Sequence, residues 1–441
     1  MSRIVLRGCR PLNAPATDLV IQGDRITALG RADVAVTDRI FDAAGLIALP
    51  GLVDLHSHFR EPGTGSATVA SESRAAAAGG FTAVNVMANT NPTADTAERV
   101  EWLHDEGLRI NYVTLRPVGA VTKALLGHEL ADISAMANSR AAVTMFSDDG
   151  VAVADSGLMR DALIRVAEFD GVIAQHAQDP ALTVGAQIND GEAARATNMV
   201  GWPSVAEEDI IARDIALARD VGARLHICHV STAGSVDLIR WAKSNGVAVT
   251  AEVTPHHLLL TDELAVSGDP LFKVNPPLRS SDDVTALRTA LADGTIDAVA
   301  TDHAPHAAAK KAGDWTTAAN GMVGLETALS VVQLAMLDND LLDWATLADR
   351  MSRAPARIAR IGGYSGIVVG AQANLVLYDP GALRTFDTSM LAGASHNSPY
   401  LGKTFPGQVI ATFHRGVPTV WEGRIQELPT HRTSSSRSGT Q

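Results

Sequence analysis

Two histidines separated by one residue, His56 and His58, follow an apolar run that begins at Gly51. In a β-strand, residues i and i+2 point to the same face, so both imidazole rings can reach one point. Imidazole nitrogens are common ligands of zinc and related divalent metals. The alternative is a pair of partly buried histidines bonded to the backbone. The spacing favours a metal site without establishing one.

Further side chains of metal-ligand type stand where other apolar runs end. They are Asp148 and Asp149 in FSDDG, His176 in QH, His226 and His229 in HICH, and Asp302, His303 and His306 in TDHAPH. The interior of a parallel barrel is built from apolar side chains, so packing does not explain such residues at several strand ends. Two divalent ions of the zinc kind would suit them, because paired ions share ligands and activate a water molecule.

Several of these residues have alternatives outside metal binding. Asp148 and Asp149 are adjacent, so one is expected to face the metals and the other to cap the next turn. Cys228 should face the opposite way from its histidine neighbours and serve as a small buried hydrophobe. His226 is expected to support a ligand or lie in the core. The pair His256 and His257, after Thr254-Pro255, is as compatible with a place in the metal site as with a loop or supporting role.

The elements that must position these residues are eight short β-rich runs alternating with Ala/Leu-rich stretches of helical length. The runs are 51–56, 82–88, 110–116, 142–146, 172–176, 224–229, 247–251 and 296–302. The helical stretches are 66–78, 98–106, 157–169, 207–221, 235–244 and 281–291. This alternation predicts an α/β fold, a TIM-like (β/α)8 barrel over residues 51–365. An open doubly wound sheet is the alternative, but the G-x-G-x-x-G turn is missing.

The two ends of the chain have a different pattern. Short alternating strands broken by Gly and Asp occupy residues 4–42 and return at 373–424. They predict a small β-sandwich domain formed by both termini, from residues 1–50 and 366–428. The Ser/Thr/Arg-rich segment 429–441 is predicted to be a disordered tail.

Composition narrows the class of protein. The 441 residues are 46% apolar and 19% charged, with 36 basic and 49 acidic residues and a net charge of −13. An acidic chain without a Lys/Arg run lacks the signature of a nucleic-acid or anionic-membrane binder. Two distant cysteines exclude a disulfide framework and favour a reducing compartment. No signal peptide or membrane span is predicted, so the expected location is the cytoplasm.

The motifs taken together resemble those of one enzyme family. DLHSHFREPG, MANTNP, FSDDG, ICHVST, AEVTPHHLLL, VNPPLR and ATDHAPH occur in the order seen in dihydroorotases of the amidohydrolase superfamily, class I bacterial type. The resemblance covers about residues 45–425. It implies a cyclic amide hydrolase that reversibly interconverts N-carbamoyl-L-aspartate and (S)-dihydroorotate in de novo pyrimidine biosynthesis.

The resemblance also implies roles for single residues. Two zinc ions per chain would be bound by His56, His58, Asp149, His176, His229 and Asp302, with Asp149 bridging them. Asp302 would also be catalytic, moving a proton from the attacking water to the departing ring nitrogen. The substrate would be bound by Arg60, Asn89, Asn275, His306, Asn320 and Gly321. The expected partners are the small-molecule substrate, a second copy in a homodimer, and aspartate transcarbamoylase.

No lysine occurs between Lys123 and Lys243, so a carboxylated lysine cannot bridge the metals. An Asp bridge matches the class I pattern, and the missing lysine weakens hydantoinase and dihydropyrimidinase. Two departures from the family pattern and two rival interpretations remain. Ala88 stands where the family commonly has Pro. Ala319-Asn320-Gly321 replaces a Pro-containing backbone contact to the substrate. The rivals are another cyclic amide hydrolase, such as an allantoinase, and an inactive homologue serving as a scaffold.

Overall fold

The computed structural model describes residues 3–63, 65 and 67–429. Within them the chain is an α/β structure with strands numbered here in order. The strands are β1 Ile4–Pro11, β2 Thr17–Gln22, β3 Arg25–Leu29, β4 Arg39–Asp42, β5 Ile47–Pro50, β6 Leu52–Ser57, β7 Phe81–Val86, β8 Thr114–Pro117, β9 Met145–Phe146, β10 Val172–Gln175, β11 Ile188–Asn189, β12 Gly201–Trp202, β13 Arg224–Ile227, β14 Val249–Val253, β15 Ala298–Val299, β16 Leu375–Thr385, β17 Thr404–His414, β18 Val417–Trp421 and β19 Arg424–Ile425.

Helices follow most of the central strands. They are α1 Val69–Ala78, α2 Ala97–Ile110, α3 Ile133–Ala137, α4 Ser156–Ala167, α5 Glu192–Thr197, α6 Val205–Val221, α7 Ala233–Ser244, α8 Pro255–Leu259, α9 Asp262–Ala265, α10 Ser281–Asp293, α11 Ala308–Lys311, α12 Ala328–Val332, α13 Trp344–Ala348 and α14 Ala354–Ile358. Single 3₁₀ turns lie at Lys123–Leu125, Pro270–Phe272 and Thr388–Met390, and π-helical turns at Gln333–Leu337 and Asp349–Arg353. No helix in the described ranges has the length and apolarity needed to cross a membrane.

All eight predicted central runs contain a strand, and these strands pair in parallel. One arc has the order β6-β7-β8 and the other the order β15-β14-β13-β10-β9. Parallel bridges join the edges of the arcs, between Ser57 and His303 and between Gly119 and Phe146. The carboxyl ends of the strands therefore gather on one side.

Three of the predicted strands differ from the observed ones by three or more residues at one end. Ile110 ends helix α2, because it continues the buried face formed by Val100, Leu103 and Gly107. Asn111, with φ of 59°, then ends the helix in the left-handed region, and β8 starts only at Thr114. Strand β9 is confined to its last two predicted residues.

Strand β15 is also shorter than predicted, since it ends at Val299 rather than Asp302. The backbone amide of Thr301 donates to Asp54 of strand β6 at 2.8 Å instead of continuing the ladder. Asp302 follows with φ of 47°, which is outside the strand conformation. The predicted helices all form, with ends that differ by a few residues.

The strands of both chain ends lie in one nine-stranded sheet. Its order is β19-β18-β17-β16-β5-β1-β2-β3, and β4 pairs with β1. The two ends meet where β5 pairs antiparallel with β16. Apolar side chains from both ends form one buried cluster, including Leu6, Ile21, Ala48, Leu375 and Phe413. Apart from Pro429, the segment predicted as a disordered tail lies outside the described residues.

The central core holds the strands in place beneath the helices. Val84, Ile173, Leu225 and Val299 are buried with apolar residues from the surrounding helices. Helix α1 begins with a reciprocal pair of bonds between Thr68 and Ser71, a capping box in which Ser71 takes the place of the usual Glu or Gln.

Candidate active site

Four histidines and two aspartates converge at the carboxyl ends of five strands. His56 and His58 come from β6 and the residue after it, and Asp149, His176, His229 and Asp302 follow β9, β10, β13 and β15. All six are buried, with at most 7% of each residue exposed. The structure therefore brings together the whole metal-ligand set predicted from the sequence.

Asp149 lies at the centre of the cluster. Its Oδ1 is 3.1 Å from Nε2 of His56, 3.4 Å from Nδ1 of His176 and 3.5 Å from Nε2 of His229. Its Oδ2 is 3.3 Å from Nε2 of His58. One carboxylate thus contacts all four histidines of the cluster.

Among the histidines of the cluster, Asp302 lies within ion-pair distance of His56 and His58. Its Oδ1 lies 3.0 Å from Nε2 of His58 and 3.6 Å from Nε2 of His56. His56, His58 and Asp302 offer ligand atoms within 4.8 Å of one another, and so do His56, Asp149 and His229. These two groups overlap at His56, and a third group of His56, Cys228 and Glu252 lies behind them.

The outward ring nitrogens of three histidines are held by oxygen acceptors. Nδ1 of His56 lies 2.9 Å from Oε1 of Glu252. Nδ1 of His58 lies 2.9 Å from Oδ1 of Asn89, and Nε2 of His176 lies 2.9 Å from Oε1 of Gln178. Because these partners accept, the outward nitrogens carry the hydrogens, and the inward nitrogens keep free lone pairs.

Two buried atoms of the cluster have no hydrogen-bond partner, namely Nε2 of His56 and Oδ1 of Asp149. A buried polar atom without a partner is costly. Imidazole lone pairs beside carboxylates form a donor set that suits zinc. The residues present therefore fit a bound divalent metal.

The electrostatics of the cluster agree with that fit. Burial alone would raise the pKa of Asp149, but the neighbouring His56, His176 and His229 outweigh it and hold the pKa well below its usual range. Asp302 behaves alike: burial opposes ionisation, and His56 and His58 keep its pKa low. Both carboxylates are thus charged at neutral pH and available to a cation.

Three residues at the strand ends have left-handed backbone conformations. Arg60 has φ of 59°, His229 has φ of 32° and Asp302 has φ of 47°. Non-glycine residues rarely adopt positive φ, and such strain tends to persist where the surroundings fix a functional geometry. Each of these three side chains belongs to the predicted site.

A cavity of about 220 Å³ lies against the cluster. Five of the six predicted substrate-binding residues line it: Arg60, Asn89, Asn275, Asn320 and Gly321. No hydrogen bond or ion pair occupies the guanidinium group of Arg60 within the part of the chain that the structure describes. A cation with free donors therefore faces a pocket of small-molecule size.

His306 is the exception among the predicted substrate-binding residues. It lines a neighbouring cavity of about 600 Å³ rather than the one beside the cluster. Its Nε2 lies 2.7 Å from the carbonyl oxygen of Asn320. The structure thus places His306 behind the cavity wall formed by Asn320.

Asn89, which is predicted to bind the substrate, lines the cavity and also holds Nδ1 of His58 through its Oδ1. The expectation for Asp148 needs correction. Asp148 was expected to cap the next turn. Its carboxylate instead accepts from the backbone amides of Val121 and Thr122 at 2.8 and 3.0 Å, which belong to the preceding strand's exit loop.

Sequence reasoning missed Glu252 and Gln178. Glu252 is fully buried and connects Nδ1 of His56 to Nε2 of His226, at 2.9 and 3.1 Å. Its signal was present, since a glutamate in the apolar strand VTAEV needs a buried partner. The supporting role of His226 is therefore seen, and Cys228 lies in an apolar cluster as expected.

Comparisons with known proteins agree on one family. A family model described as dihydro-orotase-like matches residues 45–235. A dihydroorotase from Leifsonia xyli subsp. xyli is 57% identical over 425 residues, covering 96% of this chain and 97% of that protein. A dihydroorotase from Streptomyces coelicolor is 53% identical, covering 96% of this chain and 100% of that protein.

The solved structures of similar fold are named as hydantoinases and dihydropyrimidinases. The L-hydantoinase (dihydropyrimidinase) from Arthrobacter aurescens has a TM-score of 0.85 at 24% identity, covering 97% of this chain and 98% of that one. The dihydropyrimidinase from Brevibacillus agri has a TM-score of 0.83 at 22% identity, covering 96% of both chains. These structures share the fold, whereas the sequence relatives share more than half of their residues along nearly the whole length: the chain belongs to the dihydroorotase family.

Proposed function

We propose that this protein is a metal-dependent dihydroorotase, which interconverts N-carbamoyl-L-aspartate and (S)-dihydroorotate. The observation that carries the proposal is the cavity beside the cluster. It lies against the six buried ligand-type side chains, four of which line it, and it is also lined by Arg60, whose guanidinium group has no partner among the described residues. A ring amide bearing a carboxylate needs both features.

The proposed metals are two zinc ions. His56, His58 and Asp302 would hold one, His176 and His229 the other, and Asp149 would bridge them. The unpartnered atoms of His56 and Asp149 support this arrangement. Bound zinc would lower the pKa of its water molecule to about 7 and polarise the ring carbonyl.

Arg60 is proposed to bind the substrate carboxylate. A guanidinium group presents two parallel donors that match the two carboxylate oxygens. Asn275 offers an amide on the same wall, and its Nδ2 donates to Oε1 of Gln178 at 3.1 Å in this structure. Asn89, Asn320 and Gly321 complete the wall, and His306 acts through Asn320.

Asp302 is proposed as the catalytic proton carrier. Its carboxylate lies beside His58 and lines the cavity, so it touches both the metal cluster and the substrate space. In hydrolysis it accepts the proton of the attacking water and delivers it to the departing ring nitrogen. In ring closure the same proton moves in reverse.

The proposal also covers the closure of the barrel, the domain formed by the two chain ends, the location of the protein and its partners. The two parallel arcs would close at the Ser57–His303 and Gly119–Phe146 bridges into a (β/α)8 barrel over residues 51–365. Residues 1–50 and 366–428 would form the small sandwich, supported by their common apolar cluster. Cytoplasmic location, a homodimer and association with aspartate transcarbamoylase rest on the family resemblance alone.

The test uses the purified full chain with its metal content measured on the same sample. Loss of dihydroorotate and its formation from N-carbamoyl-L-aspartate are followed by absorbance, before chelation, after it and after zinc return. Turnover in both directions that tracks about two metals per chain is expected. Bound metal without turnover of either compound would overturn the proposed substrate.

Dihydrouracil serves as the matched control substrate, because it is the same ring without the carboxylate. If Arg60 selects for the carboxylate, dihydrouracil should be turned over poorly. Equal turnover of both rings would instead favour the activity named for the dihydropyrimidinase structures of similar fold.

A further inference from the structure

Two lysines near the cavity are buried without an acidic partner. Lys273 is 6% exposed and Lys311 is 7% exposed. Neither forms an ion pair with any of the described residues. Burying an ammonium group is costly unless its hydrogen atoms find acceptors. The acceptors of these two ammonium groups therefore indicate what the lysines stabilise.

Backbone carbonyl groups of a single loop supply most of the acceptors. Nζ of Lys273 donates to the carbonyl oxygens of Trp315 at 2.6 Å, Thr316 at 3.4 Å and Ala318 at 3.0 Å. Nζ of Lys311 donates to the carbonyl oxygen of Ala319 at 2.9 Å. The carbonyl groups of a loop accept no hydrogen bonds from a helix or a sheet. The two ammonium groups supply the hydrogen bonds that these carbonyl oxygens need.

The two lysines are also connected to each other. Nζ of Lys311 donates to the carbonyl oxygen of Lys273 at 3.1 Å. That same oxygen accepts from the backbone amide of Gly321 at 2.9 Å. The side chain of Trp315 anchors the far end of the loop, with its Nε1 donating to Gln187 at 3.0 Å. Segment 315–319 is thus held along its whole length.

This segment leads directly into the cavity wall at Asn320 and Gly321. Gly321 has φ of 119°, and a Cβ there would lie 2.6 Å from Cβ of Ala304. The backbone must therefore pass close to Ala304 in a conformation that other residues rarely adopt. A small displacement of segment 315–319 would move the wall.

We propose that Lys273 and Lys311 are positioning residues, which hold segment 315–319 so that Asn320 and Gly321 form the wall against the substrate. This inference rests on the proposed function for its substrate. Neither lysine contacts the metal cluster, so they act on substrate binding and leave metal binding and proton transfer unchanged.

Charge contributes to this role. Burial, and to a smaller degree Lys273, lower the pKa of Lys311 to about 8, while Asp269 opposes the shift. Lys311 remains mostly protonated at pH 7, and hydrogen bonds from a charged donor are stronger than those from a neutral one. A methionine of similar reach would fill the space but donate nothing.

The experiment compares Lys273→Met and Lys311→Met with Lys310→Met in the zinc-loaded full chain. Lys310 is the exposed neighbour of Lys311, and its ammonium group forms no hydrogen bond or ion pair with any residue that the structure describes. Loss of charge-assisted bonds should raise KM for N-carbamoyl-L-aspartate on the order of ten-fold, with kcat within about three-fold. Metal content should stay unchanged, and Lys310→Met should behave as the unmodified chain.

Hydrogen exchange provides a second readout that does not depend on turnover. Amides of residues 313–321 should exchange faster in both variants than in Lys310→Met. If the unmodified chain fails to turn over either compound, the proposed function fails while exchange still tests the lysines. Lys311→Gln, which keeps a shorter donor, is made alongside in case Lys311→Met does not fold.

Three results would overturn the inference. One is an unchanged KM in Lys273→Met, Lys311→Met and Lys311→Gln. Another is a fall in kcat or metal content with KM unchanged. The third is unaltered exchange at residues 313–321, because the segment would then be held without the lysines.

Discussion

At the scale of single residues, the proposed metal ligands are oriented by side chains outside the ligand set. Glu252 is the clearest case, since its two oxygens hold His56 and His226. Burial alone would raise its pKa, but hydrogen bonds from these two histidines lower it to about 2. The carboxylate therefore stays charged and fixes which nitrogen of His56 faces Asp149.

Replacing Glu252 with Gln should weaken zinc binding by about 10–100-fold, because the amide orients His56 less firmly. Competition against a chromogenic chelator measures the affinity. Glu263→Gln, at an exposed position on helix α9, is the matched control. An affinity equal to that of the control would show that Glu252 does not support the ligand.

Replacing Asp302 with Asn should lower kcat by at least ~10²–10⁴-fold, because a proton carrier is lost together with a ligand. Steady-state turnover is measured after loading with zinc, and metal content separates the two effects. Near-native turnover would rule out the assignment of Asp302.

Replacing Arg60 with Lys keeps the charge but removes the paired donors. We expect a higher KM for both substrates and a kcat that changes much less, since the carboxylate is bound similarly before and during reaction. Steady-state kinetics in both directions tests this. An unchanged kcat/KM would mean that Arg60 never contacts the carboxylate.

At the scale of strands and helices, buried carboxylates connect one strand exit to the next. Asp148 follows β9 and accepts from the backbone of Val121 and Thr122, which follow β8. Asp54 in β6 accepts from Thr301 after β15 at 2.8 Å. These contacts place neighbouring exits in register where the ladders have already ended.

Replacing Asp148 with Ala should lower the free energy of unfolding by about 2–5 kcal/mol, because two buried amides lose their acceptor. Asp155→Ala, which removes an exposed cap of helix α4, should cost only about 1 kcal/mol. Denaturant unfolding measures both. Equal losses would contradict the role given to Asp148.

Local patterns in the sequence identified most elements but not how they end. The helices and central strands follow from the apolar spacing around residues such as Val84 and Leu225, which is a property of neighbouring residues. The early end of β15 depends on Asp54, distant in sequence. Likewise the partners of Asp148 precede it by 26 residues or more, whereas capping rules consider only adjacent turns.

The candidate site was likewise predictable where local sequence patterns decide and unpredictable where contacts between distant segments decide. Residue types and spacing indicated the six ligands, because chemistry limits which side chains bind metal. The roles of Glu252, Gln178 and the two buried lysines depend on contacts between distant segments. Asn89 is the clearest example of a role that the sequence pattern did not predict, since its side-chain amide both holds His58 and lines the cavity.

At the scale of the whole molecule, the cluster couples metal binding to stability. Ligand atoms from five strand exits meet there, and two of them are buried without partners. A bound ion would satisfy these atoms and offset the negative charge of two carboxylates. Folding and metal binding should therefore be linked.

Removing the metal should lower the thermal unfolding temperature by several degrees. A ligand present at 100 times its Kd stabilises the folded state by about 2.7 kcal/mol. Calorimetry before chelation, after it and after zinc return measures the shift. The Asp302→Asn variant should shift less, and identical unfolding of both forms of the unmodified chain would contradict the linkage.

The pairing of β5 with β16 has a consequence for synthesis of the chain. The two strands are separated by more than 300 residues, between Pro50 and Leu375. At 5–20 residues per second, a ribosome takes roughly 20–60 s to deliver β16 after β5 has emerged. During that interval the edge of β5 presents unpaired backbone groups to other nascent chains. The yield of folded protein should therefore respond to the speed of translation and to chaperones that cover strand edges, even when every ligand of the metal cluster is intact.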